Sequence, residues 1–194
     1  MIAYLRGKFT LITPTTVHID VQGVGYEVFI TLNTFAAIEA LESGQLFTYL
    51  HIREDAHIVY GFHTVAEKEM FLQLLGVNGV GAATARMMLS SMQPEEIIRA
   101  ITQGNARQLE SVKGIGRKTA ERIVLELRDK VTRQSLESNI SNAAGNTAEQ
   151  DALIALVALG IARPAAEMAL KKAINSGSGS DKVEEIIKSA LKNL

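Results

Sequence analysis

An internal repeat without gaps constrains this sequence more than any other feature. Residues 77–89 align with residues 112–124 at an offset of 35 residues. The identical pairs are Val77/Val112, Gly79/Gly114, Gly81/Gly116, Thr84/Thr119 and Ala85/Ala120. Several of the other positions pair one apolar residue with another. A repeat of this kind predicts one supersecondary unit that is used twice.

Each copy of the repeat has a Gly-x-Gly sequence directly before a predicted helix. Glycines allow backbone angles that are closed to other residues, and they remove side chains that would block a close approach. The first N–H groups of the helix then point outward at the positive end of the helix dipole. The apolar residue between the glycines, Val80 or Ile115, is expected to turn inward. Such a cradle can hold a phosphate without reading bases, although a glycine turn without any ligand fits the same pattern.

The formal net charge of −1 conceals an uneven distribution of charge. Residues 1–64 carry a net charge of −3, residues 65–134 carry +3, and residues 149–194 are neutral. Seven basic and three acidic residues fall within 113–133, which is the local positive charge that binding to a polyanion requires. The first repeat has alanines at 82 and 83 where the second has Arg117 and Lys118. The first copy must therefore rely on backbone groups.

The first 64 residues predict a β domain. Runs rich in Val, Ile, Thr, Tyr and Phe cover residues 2–12, 15–21, 25–30, 47–53 and 57–62. Between the third and fourth runs, residues 33–41 have helical spacing, with Asn33 or Thr34 as the N-cap. Five strands with a helix in this position follow the order of an OB-fold barrel. Another small β-barrel or sheet is the alternative.

The rest of the chain predicts helices, which makes the fold class a multidomain α+β protein. A helical domain spans 65–134, with helices at 65–75, 82–90, 94–103, 106–111 and 117–132. Residues 135–148 are small, polar and aperiodic, and they are interpreted as a flexible linker. Residues 149–194 predict a small three-helix bundle with helices at 149–159, 164–174 and 182–191. A bundle near the lower size limit for folding on its own is expected to dock onto another molecule.

The composition excludes several kinds of chemistry. The sequence has no cysteine, which excludes disulfides, thiolate metal sites and a Cys nucleophile. Residues 114–119 resemble a P-loop but have Arg117 where glycine must precede the lysine. No apolar run reaches membrane-spanning length and no signal-peptide pattern is present, so a cytoplasmic protein is expected. No catalytic residue, metal site or cofactor is expected either, since metal-site spacing is absent among His18, His51, His57 and His63.

Two adjacent carboxylates, Glu54 and Asp55, lie between the fourth and fifth predicted strands. A polar β-turn accounts for them, because Asp is common in such turns. Next to two phosphate-binding motifs they have a second interpretation. Their charge would repel phosphates, and this would push strands apart or exclude a duplex from one place.

An ordered series of short motifs runs through nearly all 194 residues. It consists of the opening Met-Ile-x-x-Leu-Arg-Gly, Gly-Val-Gly-Tyr-Glu-Val at 23–28, Arg-Glu-Asp-Ala at 53–56, Tyr-Gly-Phe at 60–62, the two Gly-x-Gly segments and Ala-Leu-Val-Ala-Leu-Gly at 155–160. The Gly-x-Gly segments resemble helix-hairpin-helix motifs, which bind the DNA backbone. The whole series resembles the RuvA family of bacterial Holliday junction-binding subunits.

The resemblance implies a non-catalytic DNA-binding protein. Members of the family form a four-fold tetramer that holds a four-way junction open and nearly square, and one or two tetramers could clamp the junction. Glu54 and Asp55 match an acidic pin at the tetramer centre. The positions that match phosphate-binding positions are Gly79, Val80, Gly81, Gly114, Ile115, Gly116, Arg117, Lys118, Thr119 and Arg122.

The resemblance also implies protein partners. The C-terminal bundle would bind RuvB, the hexameric ATPase that drives branch migration, and the resolvase RuvC would be a further partner. The residues chosen for the RuvB contact are Leu156, Leu159 and Ile161. A role in the core of the bundle explains these three residues equally well.

Two other functions are alternatives. A helix-hairpin-helix repair enzyme, either a glycosylase or a nuclease, would use a catalytic Asp. The nearest candidate, Asp129, lacks the accompanying histidine. A non-specific single-strand binder would use aromatic side chains for stacking, and the barrel candidates, equally explained as core, are Tyr4, Phe9, Tyr26, Phe29, Phe47, Tyr49, Tyr60 and Phe62.

Overall fold

The computed structural model describes residues 2–143, 148–175 and 182–193. The chain separates into two compact units, Met1–Arg133 and Gln134–Leu194. The first unit holds a β-barrel and most of the helices that follow it, and the second unit contains the end of one long helix and three further helices. The barrel and the helical domain, which the sequence predicts as two blocks, therefore fold together as one unit.

Five strands form a closed barrel in the order β1-β2-β3-β5-β4. The strands are β1 (Tyr4–Ile12), β2 (Thr16–Val21), β3 (Val24–Ile30), β4 (Ser43–Ile52) and β5 (His57–Phe62). Every pairing is antiparallel except that of β3 with β5. Helix α1 (Leu32–Ile38) connects β3 to β4. This is the OB-fold topology, and it confirms the predicted fold class.

The strand β4 begins at Ser43, four residues before the predicted start at Phe47. Its first residues are Ser-Gly-Gln, which have low β propensity. They are strand residues because Gly44 pairs with Gly7 of β1. At Gly7 an added Cβ would lie 2.0 Å from the carbonyl oxygen of Asp20. The close approach of β1 to β2 therefore requires glycine at position 7. No local pattern in the sequence indicates the pairing of Gly44 with Gly7 that makes 43–45 part of a strand.

Five helices follow the barrel in residues 65–143. They are α2 (Val65–Leu75), α3 (Ala82–Ser91), α4 (Pro94–Thr102), α5 (Ala106–Glu110) and α6 (Arg117–Ala143). Their buried side chains form one apolar core together with Tyr60 and Phe62 of the barrel. The rings of Phe62 and Phe71 lie 4.9 Å apart between centroids. This shared core holds the barrel and the helices in one unit.

The helix α6 continues to Ala143, beyond the predicted end at Thr132. The segment 135–148, predicted as a linker, is therefore helical as far as Ala143, and its residues 144–147 lie outside the described residues. The first glycine or proline after Arg117 is Gly145, so nothing in the sequence stops the helix earlier. A polar composition alone does not end a helix.

The second unit is a three-helix bundle of α7 (Ala148–Ala158), α8 (Arg163–Asn175) and α9 (Val183–Lys192). Alanines dominate its core, with Leu156, Leu170 and Ile186 as the larger members. Gly160, with φ +91°, ends α7 in a Schellman motif, in which the N–H of Ile161 donates to the carbonyl of Leu156 at 3.2 Å. The predicted loop 175–181 lies outside the described residues after Asn175. No helix in the described parts is long and apolar enough to cross a membrane.

Candidate nucleic-acid interface

The two copies of the repeat fold into the same turn. In each copy, the N–H of the residue between the glycines, Val80 or Ile115, donates at 3.0 Å to the carbonyl three residues earlier. The first glycine has positive φ in both turns, +91° in Gly79 and +93° in Gly114. A positive φ at the third position of a hydrogen-bonded turn is the signature of type II. The sequence repeat is therefore a structural repeat as well.

The residues between the glycines anchor the turns. Val80 and Ile115 are each only 4 % exposed and lie in the same apolar core. Their N–H groups are already engaged within the turns. The inward orientation expected from the sequence is confirmed, and neither residue presents its side chain or its N–H to a phosphate.

The second glycine of each pair leaves the start of a helix open. Gly81 is the N-cap of α3, and its φ of −86° is available to any residue. A Cβ added at Gly81 or at Gly116 would have no atom within 4 Å, so packing within the chain does not require glycine at either position. Gly81 makes no side-chain cap, and the first N–H groups of a helix have no partner within the helix. Within the described parts of the chain no backbone acceptor meets the first N–H groups of α3 or α6, so both turns present free backbone donors to the outside.

Basic side chains at the start of α6 differ in what they contact. The Nε of Arg117 donates to Glu121 at 2.9 Å, and this hydrogen bond raises the pKa of Arg117. Lys118 is exposed and has no hydrogen bond or ion pair with the residues that the structure describes. Thr119 is half-buried. Lys118 is accordingly the basic group at this helix start whose charge no neighbouring carboxylate offsets.

The side chain of Arg122 connects the two turns. Its Nη1 donates to the carbonyl oxygen of Asn78 at 3.1 Å, and its Nε lies 3.8 Å from Oε1 of Glu126. Asn78 belongs to the first turn, whereas Arg122 lies on the helix that follows the second. The sequence placed Arg122 among the phosphate-binding positions, and this internal contact was not predicted.

The two adjacent carboxylates lie at the tip of a hairpin, where the sequence placed them. Glu54 and Asp55 are exposed between β4 and β5, and the N–H of Arg53 donates to the carbonyl of Ala56 at 2.8 Å to close the turn. Neither carboxylate forms an ion pair within the described parts of the chain. Arg53 adjoins Glu54 in the sequence, but the tip carries two carboxylates that no ion pair with a described residue offsets.

A buried carboxyl group joins the barrel to the helical domain. Glu67 of α2 is 3 % exposed and accepts hydrogen bonds from the hydroxyls of Thr31 and Thr34. Burial raises the pKa of Glu67, and the hydrogen bonds from the two threonines oppose the shift. The N-cap of α1 is Thr31, not Asn33 or Thr34 as predicted.

Asn33 makes a second connection between the barrel and the helices. Its Nδ2 donates to the carbonyl of Leu89 at 2.6 Å and to that of Met92 at 3.1 Å. Its Oδ1 accepts from Nε2 of Gln93 at 2.8 Å. Together with Glu67, these contacts fix the barrel, which carries the acidic tip, against the domain that carries the two turns.

The barrel offers little aromatic surface for stacking on single-stranded DNA. Phe9, Tyr60 and Phe62 are buried, and Phe29 lies beneath the guanidinium of Arg86 at 5.3 Å. Of the other candidates, Tyr4 is 55 % exposed. No group of His, Asp and Glu that could hold a metal occurs in the part of the chain that the structure describes.

The three residues chosen for a partner contact in the bundle have different surroundings. Leu156 is fully buried in the bundle core, so its side chain is not available to a partner. Ile161 packs against the same core, whereas Leu159 is 65 % exposed. The sequence analysis did not single out four other exposed apolar residues of the bundle, because helical periodicity does not separate them from core residues in so apolar a bundle: Ile154, Val157, Met168 and Leu191.

A closed OB-fold barrel joined to two helix-hairpin-helix turns with open helix starts defines a DNA-backbone-binding protein. Family models match in the same order: "RuvA N terminal domain" over residues 1–61, "SAM-like Helix-hairpin-helix tandem" over 71–129 and "RuvA, C-terminal domain" over 147–194. The chain belongs to the RuvA family.

Curated relatives match along the whole chain. A protein of Cytophaga hutchinsonii is 43 % identical over 198 residues, which cover 99 % of each chain. Proteins of Flavobacterium psychrophilum and Bacteroides fragilis are 44 % and 40 % identical, each with full coverage of both chains. All three are named Holliday junction branch migration complex subunit RuvA.

Proposed function

We propose that this chain binds four-way DNA junctions and serves as the DNA-binding subunit of a branch migration complex in recombination and repair. The observation that carries the proposal is the pair of helix starts at Gly81 and Gly116. Neither the backbone angles nor the packing of the chain requires glycine at these two positions. Full-length relatives named as subunits of such a complex support it.

Binding at these helix starts uses backbone donors and not base contacts. The free N–H groups after Gly81 and Gly116 donate to phosphate oxygens, and the helix dipole adds to the attraction. Lys118 contributes a point charge beside the second turn, with Arg117 and Thr119 at its margin. Since phosphates are the same in every sequence, the protein recognises the shape of the junction.

The acidic tip acts where strands exchange partners. In a four-fold tetramer, the form expected for the family, four copies of Glu54 and Asp55 meet at the crossover of the junction. Their charges repel the phosphates there and hold the paired strands apart. The exposure of both carboxylates, neither of which forms an ion pair with a described residue, supports this role.

The C-terminal bundle supplies the contact with the motor. We assign ATP hydrolysis to RuvB, which docks on exposed apolar side chains of the bundle, Leu159 and Ile154 among them. The resolvase RuvC acts on the same open junction, and the complex works in the cytoplasm. The protein itself makes no covalent change to DNA.

A binding comparison at fixed salt tests this function. The probes are a four-way junction, a duplex and a single strand that share the sequence of one arm, each titrated in a gel-shift assay. The expected result is strong preference for the junction and intact DNA after incubation. Equal binding to the duplex, preference for the single strand, or the release of a base or a cleaved strand would each contradict the proposal.

A further inference from the structure

We infer that Arg122 is a positioning residue that sets the spacing between the two DNA-binding turns. This inference rests on the proposed function, because it concerns the same site. The carbonyl of Asn78 belongs to the central peptide of a type II turn, a group that the hydrogen bond of the turn leaves without a partner. Nη1 of Arg122 supplies that partner at 3.1 Å.

The backbone that carries Arg122 is held firmly. On either side of it in α6, Ala120, Ile123 and Leu127 are buried in the apolar core. The guanidinium therefore extends from a fixed helix to the first turn. A hydrogen bond from such a point restrains both the distance and the direction of the turn it reaches.

The charge of Arg122 is already partly matched within the chain. Oε1 of Glu126 lies 3.8 Å from Nε, one turn further along α6. A guanidinium that donates to a carbonyl oxygen and lies near a carboxylate neutralises little phosphate charge. Few counterions therefore leave the DNA on its account when the protein binds. Lys118, which has no such neighbours among the described residues, is the contrasting case.

The bridge runs in one direction only. Met87 occupies the position of the first repeat that corresponds to Arg122, and Asn78 corresponds to Lys113. The methionine side chain has no N–H donor, so Met87 cannot make the equivalent hydrogen bond to the carbonyl of Lys113. The bridge is thus not a by-product of the repeat. It steadies the turn that lacks basic side chains and relies on the placement of its backbone.

The salt dependence of junction binding separates a bridge from a phosphate contact. We expect Arg122→Gln to weaken binding about tenfold at every salt concentration, the size of one charge-assisted hydrogen bond, with an unchanged slope of log affinity against log salt. Lys118→Ala should lower that slope by about 0.9 for each phosphate that the lysine no longer neutralises. Arg122→Lys keeps the charge but removes the planar fork, so it should resemble Arg122→Gln.

The matched control is Lys130→Gln, which removes one positive charge from the exposed surface of the same helix. Its affinity should change little. If Lys130→Gln weakens binding as much as Arg122→Gln, or if Arg122→Gln lowers the slope while Arg122→Lys restores affinity, the bridge is overturned. Thermal unfolding of each variant checks that the fold is retained.

Amide hydrogen exchange without DNA tests the bridge independently of any DNA-binding function. In Arg122→Gln, the amide of Val80, which the turn protects through its hydrogen bond to Val77, should exchange faster, whereas the amide of Ile115 in the second turn should keep its rate. Equal rates in both proteins at both turns would overturn the inference even if junction binding stands. Accelerated exchange in a protein without junction preference would overturn the proposed function and leave the contact intact.

Discussion

At the scale of single residues, the two glycines of each turn serve different purposes. Gly79 has φ +91°, a backbone conformation that costs other residues about 1–2 kcal/mol. Gly81 has φ −86° and ψ 169° with open space around it. The first glycine therefore serves the fold, and the second leaves room for a ligand.

Replacing Gly81 by serine should raise stability and weaken DNA binding. The angles at Gly81 are those of an N-cap, where serine accepts a hydrogen bond from the start of the helix. Relative to glycine, this cap stabilises the helix by a few tenths of a kcal/mol, while its hydroxyl occupies an N–H group that phosphate would use. Urea unfolding and junction titration measure the two effects.

The matched control for Gly81→Ser is Gly79→Ser in the same turn. It should lower the free energy of unfolding by about 1–2 kcal/mol, since serine must adopt positive φ. Junction binding by Gly81→Ser at the level of the unaltered protein would show that the start of α3 is not a phosphate site.

At the scale of secondary-structure elements, the sequence predicted those helix and strand ends that are set by interactions between neighbouring residues. The bounds of α2 agree with the prediction, because the N-cap hydroxyl of Thr64 and the turn at Gly76 are both local. The start of β4 depends on its pairing with β1, and the end of α6 on the absence of a breaker, so both predictions were wrong.

The candidate site divides in the same way. The repeat predicted both turns and the inward-facing Val80 and Ile115 from neighbouring residues alone. The hydrogen bond of Arg122 with Asn78 joins residues far apart in the sequence. The same is true of the hydrogen bond that the buried Glu67 accepts from Thr34. Periodicity and composition contain no signal for such pairs, so only the folded chain shows them.

The carboxyl of Glu67 should make stability depend on pH. Its pKa in the folded protein is raised above the ordinary value of 4.5 by burial. Well below pH 4.5 the group is protonated in both states. As the pH rises toward its folded pKa, the unfolded chain loses its proton first, so this group lowers stability with increasing pH. Glu67→Gln should remove this decline, as measured by urea unfolding at a series of pH values.

Glu95→Gln, at an exposed carboxyl in the first turn of α4, is the control. It removes a carboxyl from the surface and leaves Glu67 in place, so the decline that Glu67 causes should remain. Parallel profiles for Glu67→Gln and the unaltered protein would show that Glu67 has the same pKa folded and unfolded. A uniform loss in Glu67→Gln is expected in addition, since the amide accepts fewer hydrogen bonds from Thr31 and Thr34.

At the scale of the whole molecule, charge of opposite sign is sorted into adjoining parts of one compact unit. Residues 1–64 carry a net charge of −3 and residues 65–134 carry +3, and the contacts of Asn33 and Glu67 fix one part against the other. The net charge of −1 says little about binding to DNA. A compact unit with attraction at the turns and repulsion at the tip can bind DNA while it excludes phosphates from one place.

The double change Glu54→Gln and Asp55→Asn tests the repulsive half of this arrangement. It removes two negative charges from each acidic tip and leaves the turns unaltered, so junction binding should be as tight as before or tighter. A fluorescent base analogue at the crossover should report less strand separation, and branch migration with the motor should change in rate. The control, Glu39→Gln with Glu42→Gln, makes the same charge change at exposed positions after α1 and should leave the fluorescence signal unaltered. Weaker binding by the tip variant would mean that these carboxylates attract or order the junction, contrary to a repulsive role.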